Sequence, residues 1–152
     1  MRIISLEQLQ SLVPGTLMDH LGMAFTGMGE DWLSARMPVD ARTCQTYGIL
    51  HGGASAALIE SLASVGAQLS VDRDAFRCFG LEINANHIRA ATGGYVTGTA
   101  RPVHVGRTTH VWDVRIEDEA KRLTCVGRLT VAVRPAAGAV GAPLVPALGR
   151  GL

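Results

Sequence analysis

The sequence predicts a single α+β domain in which an antiparallel sheet wraps around one long helix. Its 152 residues fit one domain with a substantial core. A stretch from Ala54 to about Leu69 is rich in Ala and Leu, is mostly apolar and has the length of a helix. Four segments with strand character follow it, separated by turn residues. Because a sheet with one face to cover needs only one apolar helix, these observations favour the wrapped arrangement.

Two short helices and a hairpin are predicted before the long helix. The segment SLEQLQSL begins with an N-cap serine and has leucines at helical spacing. Further on, two apolar segments flank the polar turn Gly29-Glu30-Asp31, which is typical of a hairpin. The predicted elements are helices over 5–12 and 16–21 and strands over 23–28 and 32–39, followed by a polar loop over 41–50.

The four strands after the long helix complete the predicted domain, which covers residues 1–134. These strands are predicted over 77–88, 95–103, 108–117 and 123–134, with turns at 91–94, 104–107 and 118–121. Residues 135–152 are rich in Pro, Ala and Gly without periodicity, so we expect an extended or disordered tail.

Composition narrows the classes of partner and compartment. The 14 basic and 13 acidic residues give a net charge of +1, which argues against nucleic acid as the main partner. Charged residues make up 18% of the chain, below the usual ~25%, so we expect an oligomer that hides some surface. Three widely spaced cysteines predict a reduced, cytoplasmic protein without a metal site. We expect no membrane span, because Glu60 interrupts the longest stretch of low charge.

The residues with most chemical content lie at the start of the long helix. Gly52 and Gly53 precede it, and Glu60 is the one charged residue between Gly52 and Val71. The first N–H groups of a helix lack internal partners, and glycines let a ligand approach them, so a developing oxyanion is stabilised there. Glu60 lies two turns after Gly53 on the same face, with Ser64 one turn further. This pattern suits acyl transfer with the carboxylate as nucleophile or general base.

A thioester is the acyl substrate that best fits one carboxylate. A thiolate leaves without a strong acid, and the sequence contains no Ser-His-Asp arrangement. Two structural explanations stay open. Glu60 can pair with a basic residue or with solvent, and His51 can simply cap the helix.

The segment GILHGGASAALIESLASVGA resembles the signature of hot-dog-fold acyl-CoA thioesterases, in the branch that contains aryl-CoA hydrolases. Similar patterns occur at GEDWLSARMPVD, GLEINANHIR and PVHVGR, and the resemblance covers about residues 5–134. It implies a hot-dog fold, hydrolysis of an aryl or short- to medium-chain acyl-CoA to the free acid and CoA, and no cofactor, since coenzyme A belongs to the substrate. It also implies a homo-oligomer, a dimer or a dimer of dimers (homotetramer), with active sites shared between subunits.

The resemblance implies roles for individual residues. Glu60 matches the catalytic carboxylate, Gly52 the backbone donor to the thioester carbonyl, and Ser64 a hydroxyl that places water. Gln45 and His51 would orient the acyl group or water. The positions that match coenzyme A contacts are Gly80, His87, Ile88, Arg89, Ala90, His104, Val105, Gly106, Arg107, Thr108 and Thr109. Arg89 and Arg107 also have the charge that the phosphates of coenzyme A require.

Two other functions remain open at this point. A hot-dog dehydratase acting on hydroxyacyl thioesters also pairs a histidine with an acidic residue, although the spacing of Gln45, His51 and Glu60 follows the thioesterases. A non-catalytic acyl-CoA-binding module is the second alternative. The sequence does not choose the acyl group, and it does not choose between a covalent anhydride and general-base catalysis.

Overall fold

A computed structural model describes residue 1 and residues 4–136 of the chain. The helices are α1 (Leu6–Gln10), α2 (Leu17–His20) and α3 (Gly52–Leu69). The strands are β1 (Ala24–Met28), β2 (Leu33–Pro38), β3 (Phe76–His87), β4 (Tyr95–Val105), β5 (Thr109–Asp118) and β6 (Leu123–Pro135). All the predicted elements are present. Strand β6 extends to Pro135, the first residue of the predicted tail, and the rest of that tail from residue 137 lies outside the described residues.

The six strands form one sheet in the order β1-β2-β4-β5-β6-β3, with every neighbouring pair antiparallel. The predicted hairpin of β1 and β2 is confirmed. Strand β3, which follows the long helix in the chain, lies at the edge of the sheet and pairs with β6 over its whole length, from Phe76 opposite Pro135 to His87 opposite Cys125. The predicted α+β arrangement of an antiparallel sheet around one long helix is confirmed.

Helix α3 packs one face into the core of the sheet. Leu58, Ile59 and Leu62 on this face are completely buried. Burying a side chain of this size contributes about 1.5–3 kcal/mol. Gly98 of β4 lets the strand approach the helix, since a Cβ there would lie 2.8 Å from Leu62 Cδ1. Strands β2 to β6 all contact α3, so the sheet covers the core side of the helix.

The outer side of α3 is less buried than its core side. Ala56, Glu60 and Ser64 are only half-buried. The neighbouring edge strand β3 exposes large apolar side chains on a single copy of the chain, with Phe79 47%, Leu81 62% and Ile83 38% exposed. Among the described residues, no helix is both long and apolar enough to cross a membrane.

Candidate functional site

The first turn of α3 is organised by a histidine cap. The helix begins at Gly52, two residues before the predicted Ala54, because His51 is its N-cap and accepts a 2.8 Å hydrogen bond at Nδ1 from Gly53 N–H. Since Nδ1 accepts, the proton of a neutral imidazole lies on Nε2. Within the described residues, no hydrogen bond is assigned to Gly52 N–H. That donor is therefore available to a ligand, whereas Gly53 N–H is occupied.

Gly52 opens onto a cleft of about 390 Å³. A Cβ at position 52 would lie 2.8 Å from His87 Nε2, so glycine is needed for the end of β3 to approach the helix start. Gln45 reaches the cleft from a tight turn in which Gly48 has a φ of +75°. The lining residues are Gln45, Ile49, Leu50, Gly52, Ser55, His87, Ile88, Arg89, Ala90, Ala91 and Thr124.

The wall at 88–91 is held by backbone hydrogen bonds. Ile88 N–H and Arg89 N–H both donate to the carbonyl of Thr124, at 2.8 and 3.1 Å, and Leu50 N–H donates to Ala91 O at 2.8 Å. These bonds fix the backbone at Arg89, whose side chain is exposed. The structure thus places six of the predicted residues around one cleft, namely Gln45, Gly52, His87, Ile88, Arg89 and Ala90.

Glu60 lies apart from this cleft. Ser64 Oγ donates a 3.0 Å hydrogen bond to Glu60 Oε1, as expected for side chains one helical turn apart. Gly80 in β3 faces the carboxylate, and a Cβ at position 80 would lie 2.5 Å from Oε1. Gly80 therefore leaves the space that the carboxylate occupies, and Ser64 holds it in the direction of the helix C-terminus.

The rise of an α-helix separates Glu60 from Gly52 by about 12 Å along the axis of α3. A carbonyl on a backbone donor needs a donor distance near 3 Å, and an attacking oxygen must come within about 3–3.5 Å of its carbon. One thioester cannot satisfy both conditions in a single protomer, because Ser64 draws the carboxylate away from Gly52.

The predicted coenzyme A contacts are also divided. Residues 104–109 comprise the end of β4, the turn at 106–108 and the start of β5, and Val133 N–H donates to Thr108 O. That end of β6 pairs with the start of β3, whereas His87 pairs with Cys125 at the other end. About ten strand residues, or roughly 33 Å, separate the two groups along the sheet. Arg89 and Arg107 thus lie at opposite ends of one protomer.

Three titratable groups that the sequence did not single out are perturbed by burial. Burial lowers the pKa of His110, which is 1% exposed and lies in β5 directly after residues 104–109. Burial raises the pKa of the Cys78 and Cys125 thiols, and all three cysteines are free. Sequence reasoning also missed the buried Ser55 and Thr124 in the cleft wall. Ser55 lies one helical turn after Gly52, a spacing visible in the sequence, whereas Thr124 of β6 is brought there by long-range strand pairing.

Comparisons with known proteins agree with this architecture. Residues 47–125, slightly more than half of the chain, match the model of the thioesterase superfamily. The chain is 47% identical over 132 residues to the proofreading thioesterase EntH of Cronobacter turicensis and 46% identical over 132 residues to the 1,4-dihydroxy-2-naphthoyl-CoA hydrolase of Escherichia coli. Each alignment covers 87% of this chain and 96% of the relative.

Solved structures show the same fold. A mutant thioesterase from Pseudomonas aeruginosa superposes with a TM-score of 0.87 at 46% identity, covering 89% of this chain and 97% of the other. A thioesterase from Haemophilus influenzae gives a TM-score of 0.85 at 42% identity, covering 88% and 93%. With a family match around the helix start and relatives that span nearly the whole domain, the chain belongs to the thioesterase superfamily and is a thioester hydrolase of the hot-dog fold.

Proposed function

We propose that the protein is an acyl-CoA thioesterase that hydrolyses an aryl or short- to medium-chain acyl-CoA to the free acid and CoA. The observation that carries the proposal is the pair of functional groups on α3. A backbone donor without an internal partner stands at its start, and one carboxylate, hydrogen-bonded to a serine, stands two turns further along. The relatives named for action on CoA thioesters and for thioesterase proofreading support this substrate class.

Gly52 N–H is the donor that polarises the thioester carbonyl. It lies at the positive end of the helix dipole, where developing negative charge on oxygen is favoured. Gly53 N–H does not compete for this role because His51 Nδ1 accepts its hydrogen. Gln45 and His51 orient the acyl group or the water around this point.

Glu60 supplies the reactive carboxylate, by one of two routes. As a nucleophile, it attacks the carbonyl carbon, the C–S bond breaks, CoA leaves as the thiolate, and water then hydrolyses the acyl-glutamate anhydride. As a general base, it takes a proton from the water that attacks the same carbon. In both routes the products are the acid and CoA, and Ser64 holds the carboxylate and helps to place the water.

A second copy of the chain would bring the divided groups together. Gly52 lies against His87, and Glu60 lies against Gly80. The midpoint of Gly80 and His87 falls between residues 83 and 84, near the centre of the exposed edge strand β3. An antiparallel pairing of two β3 strands about that point sets Gly80 of the partner subunit opposite His87, and so brings the partner's Glu60 to Gly52.

The same pairing joins the two groups of predicted coenzyme A contacts. It sets the start of the partner's β3, with residues 104–109 near it, beside the end of β3, where residues 87–90 lie. Arg89 of one subunit and the partner's Arg107 then face the same substrate. The apolar edge of β3, exposed on a single copy, is covered at the same time.

The association of two such dimers into a dimer of dimers and the cytoplasmic location of the protein stay predictions.

The primary experiment is Glu60→Gln, which keeps size and hydrogen bonding but removes the carboxylate. We expect kcat for free-thiol release from benzoyl-CoA to fall by about 10²–10⁴-fold with the fold and oligomer retained. Glu7→Gln, on the exposed face of α1, is the control and should leave kcat unchanged. Near wild-type turnover in Glu60→Gln would refute the role of this carboxylate.

Gly52→Pro tests the backbone donor directly. Proline is well tolerated at the first position of a helix, and His51 already has the extended backbone that precedes proline, with φ −71° and ψ 134°. The matched control is Gly52→Ala, which keeps the N–H but adds the same contact with His87. We expect Gly52→Pro to lose about 10²–10³-fold more kcat than Gly52→Ala. Equal activities would contradict the donor role.

Subunit sharing is tested by mixing the two inactive variants. In a mixed dimer of Glu60→Gln and Gly52→Pro, one of the two sites combines the intact Gly52 and the intact Glu60. We expect activity to reappear after subunit exchange, up to one competent site in each mixed dimer. If each site lay within one chain, the mixture would stay inactive, which would overturn the proposed pairing.

A further inference from the structure

A second cleft opens on the other side of the first turn of α3. It encloses about 360 Å³ between α2, the loop at 42–44 and the helix. Gly52 lines the cleft described above, whereas its neighbours His51 and Gly53 line this second one. A carbonyl held on Gly52 N–H therefore lies at the boundary between two clefts, with room for one substituent on each side.

The second cleft is lined mainly by small and apolar side chains. Leu17 and Leu21 come from α2 and the residue that caps it, and they lie one helical turn apart on the same side. Ala54 and Ala57 form the opposite wall on α3, with Cys44 beside them. Leu17 is 60% exposed, so the apolar surface of this wall is open to a ligand.

Arg42 lies at the rim of the cleft, between the end of α2 and the loop at 40–44. Its guanidinium bonds Asp40 at 2.6 Å, in the loop that leads to α3. It also lies over Gly22, which follows α2 with a φ of +67° and where a Cβ would approach Arg42 Nη1 to 2.5 Å. Met18 and Leu21, partly buried, pack against the hydrophobic core and anchor the wall formed by α2. Because this wall packs on the core, the cleft is part of the packed domain.

The two clefts differ in chemistry. The first includes His87 and Arg89, which suit the polar, phosphorylated arm of coenzyme A. In the second, among the described residues, Arg42 is the one side chain with a fixed charge, and Asp40 pairs with it. We propose that the second cleft receives the apolar acyl group of the substrate, with Leu17, Leu21 and Ala57 determining which acyl groups fit. This assignment rests on the proposed acyl-CoA thioesterase function.

The test compares acyl groups rather than overall activity. Ala57→Leu fills the cleft from the α3 side, and Leu17→Ala removes part of the α2 wall. The matched control is Leu12→Ala, an exposed leucine of the same N-terminal region that does not line the cleft. For each variant, kcat/KM is measured with acetyl-CoA, octanoyl-CoA and benzoyl-CoA, together with inhibition by free CoA.

We expect Ala57→Leu to lower kcat/KM for octanoyl-CoA and benzoyl-CoA by at least about 10-fold, with acetyl-CoA changed by less than about twofold. Leu17→Ala should lower the same two values by about 10-fold, and Leu12→Ala should change none of them. Inhibition by free CoA should be unchanged in all three variants. If the wild type hydrolyses all three thioesters and neither variant changes their ratio, the acyl assignment is overturned.

A binding measurement separates failure of the cleft from failure of the proposed function. Octanoate, the acid product, is titrated into protein with labelled leucine methyl groups. We expect the methyl signals of Leu17 and Leu21 to shift, and those of Leu12 to stay in place. Such shifts without thiol release from any acyl-CoA would refute the proposed function and leave an apolar-carboxylate site. Turnover without these shifts would refute the cleft assignment.

Discussion

Replacing Gly80 with alanine would place a methyl group against the Glu60 carboxylate without touching the residue itself. The added Cβ would lie 2.5 Å from Glu60 Oε1, whereas ordinary contacts begin at 3.4 Å. The carboxylate would have to retreat by about 0.9 Å, and its 3.0 Å hydrogen bond from Ser64 would be strained or lost. A displacement of about 1 Å at a reacting group costs roughly 10²-fold in rate. We therefore expect kcat to fall by about 10²-fold in Gly80→Ala.

We expect Gly80→Ala to keep or slightly raise the stability of the fold, although it lowers kcat. Gly80 does not have a positive φ, so alanine fits its backbone, and the atom in the way is the end of a flexible side chain. Alanine also restricts the unfolded chain, which stabilises a protein by about 0.4–1 kcal/mol where the backbone is compatible. Gly80→Ala should thus melt at or slightly above the wild-type temperature while losing turnover.

The assay is free-thiol release from benzoyl-CoA, with melting followed by circular dichroism. Gly93→Ala is the control, since nothing lies within 4 Å of a Cβ at position 93 and its φ is not positive. It should match the wild type in both measurements. A folded Gly80→Ala protein with wild-type kcat would refute the conclusion that Gly80 sets the position of the carboxylate.

Three further predictions concern the helix and the buried histidine. Ser64→Ala should lower kcat by about 10-fold with an unchanged melting temperature, because it removes one hydrogen bond to the Glu60 carboxylate; full activity would argue against that role. Gly66→Ala should lose about 1–3 kcal/mol of unfolding free energy in urea, since its Cβ would lie 2.7 Å from Trp112 Cζ3 in the core; wild-type stability would show that the ring has room to move. Burial lowers the pKa of His110, so below its usual 6.5 the unfolded chain binds a proton that the folded chain does not, and stability falls with falling pH. His110→Gln should flatten this loss between pH 7.5 and 5.5, and an unchanged slope would contradict the assignment.

Local patterns were sufficient to predict the elements but not their order in the sheet. Strand ends are set by turns such as Gly93-Gly94, where Gly94 has a φ of +68°, and such signals are visible in the sequence. Strand β3 pairs with β6, which joins Phe76 to Pro135 and leaves β3 at the edge. The alternation of apolar and polar residues along a strand does not identify the strand it pairs with, so this long-range pairing could not be predicted.

The candidate site was likewise predictable only where it depends on local spacing. The proximity of Glu60 and Ser64 follows from helical spacing alone, and the hydrogen bond between them has that origin. The proximity of Gly80 to Glu60 depends on how β3 crosses the helix, which no local pattern encodes. The distance of about 12 Å between Gly52 and Glu60 follows from eight residues of helix. Two residues on the same face of a helix can still be far apart along its axis, so the shared face alone does not place them in one site.

The glycines at the predicted site leave space for neighbouring side chains of the same protomer as well as for the substrate. A Cβ would meet His87 at Gly52, Glu60 at Gly80 and His104 at Gly106. Each of these glycines therefore makes room for another predicted site residue, and a side chain in its place would displace that residue. Backbone positions in the sheet and in α3 thus determine where the predicted site side chains lie.

Division of the site has a consequence for activity. Helix α3 supplies its N-terminal donor and its carboxylate about 12 Å apart, too far for one carbonyl. Under the proposed pairing, each helix therefore contributes the donor to one site and the carboxylate to the other. A single copy holds both groups yet completes neither site. Under the same pairing, the step that covers the exposed apolar edge of β3 is also the step that assembles the site.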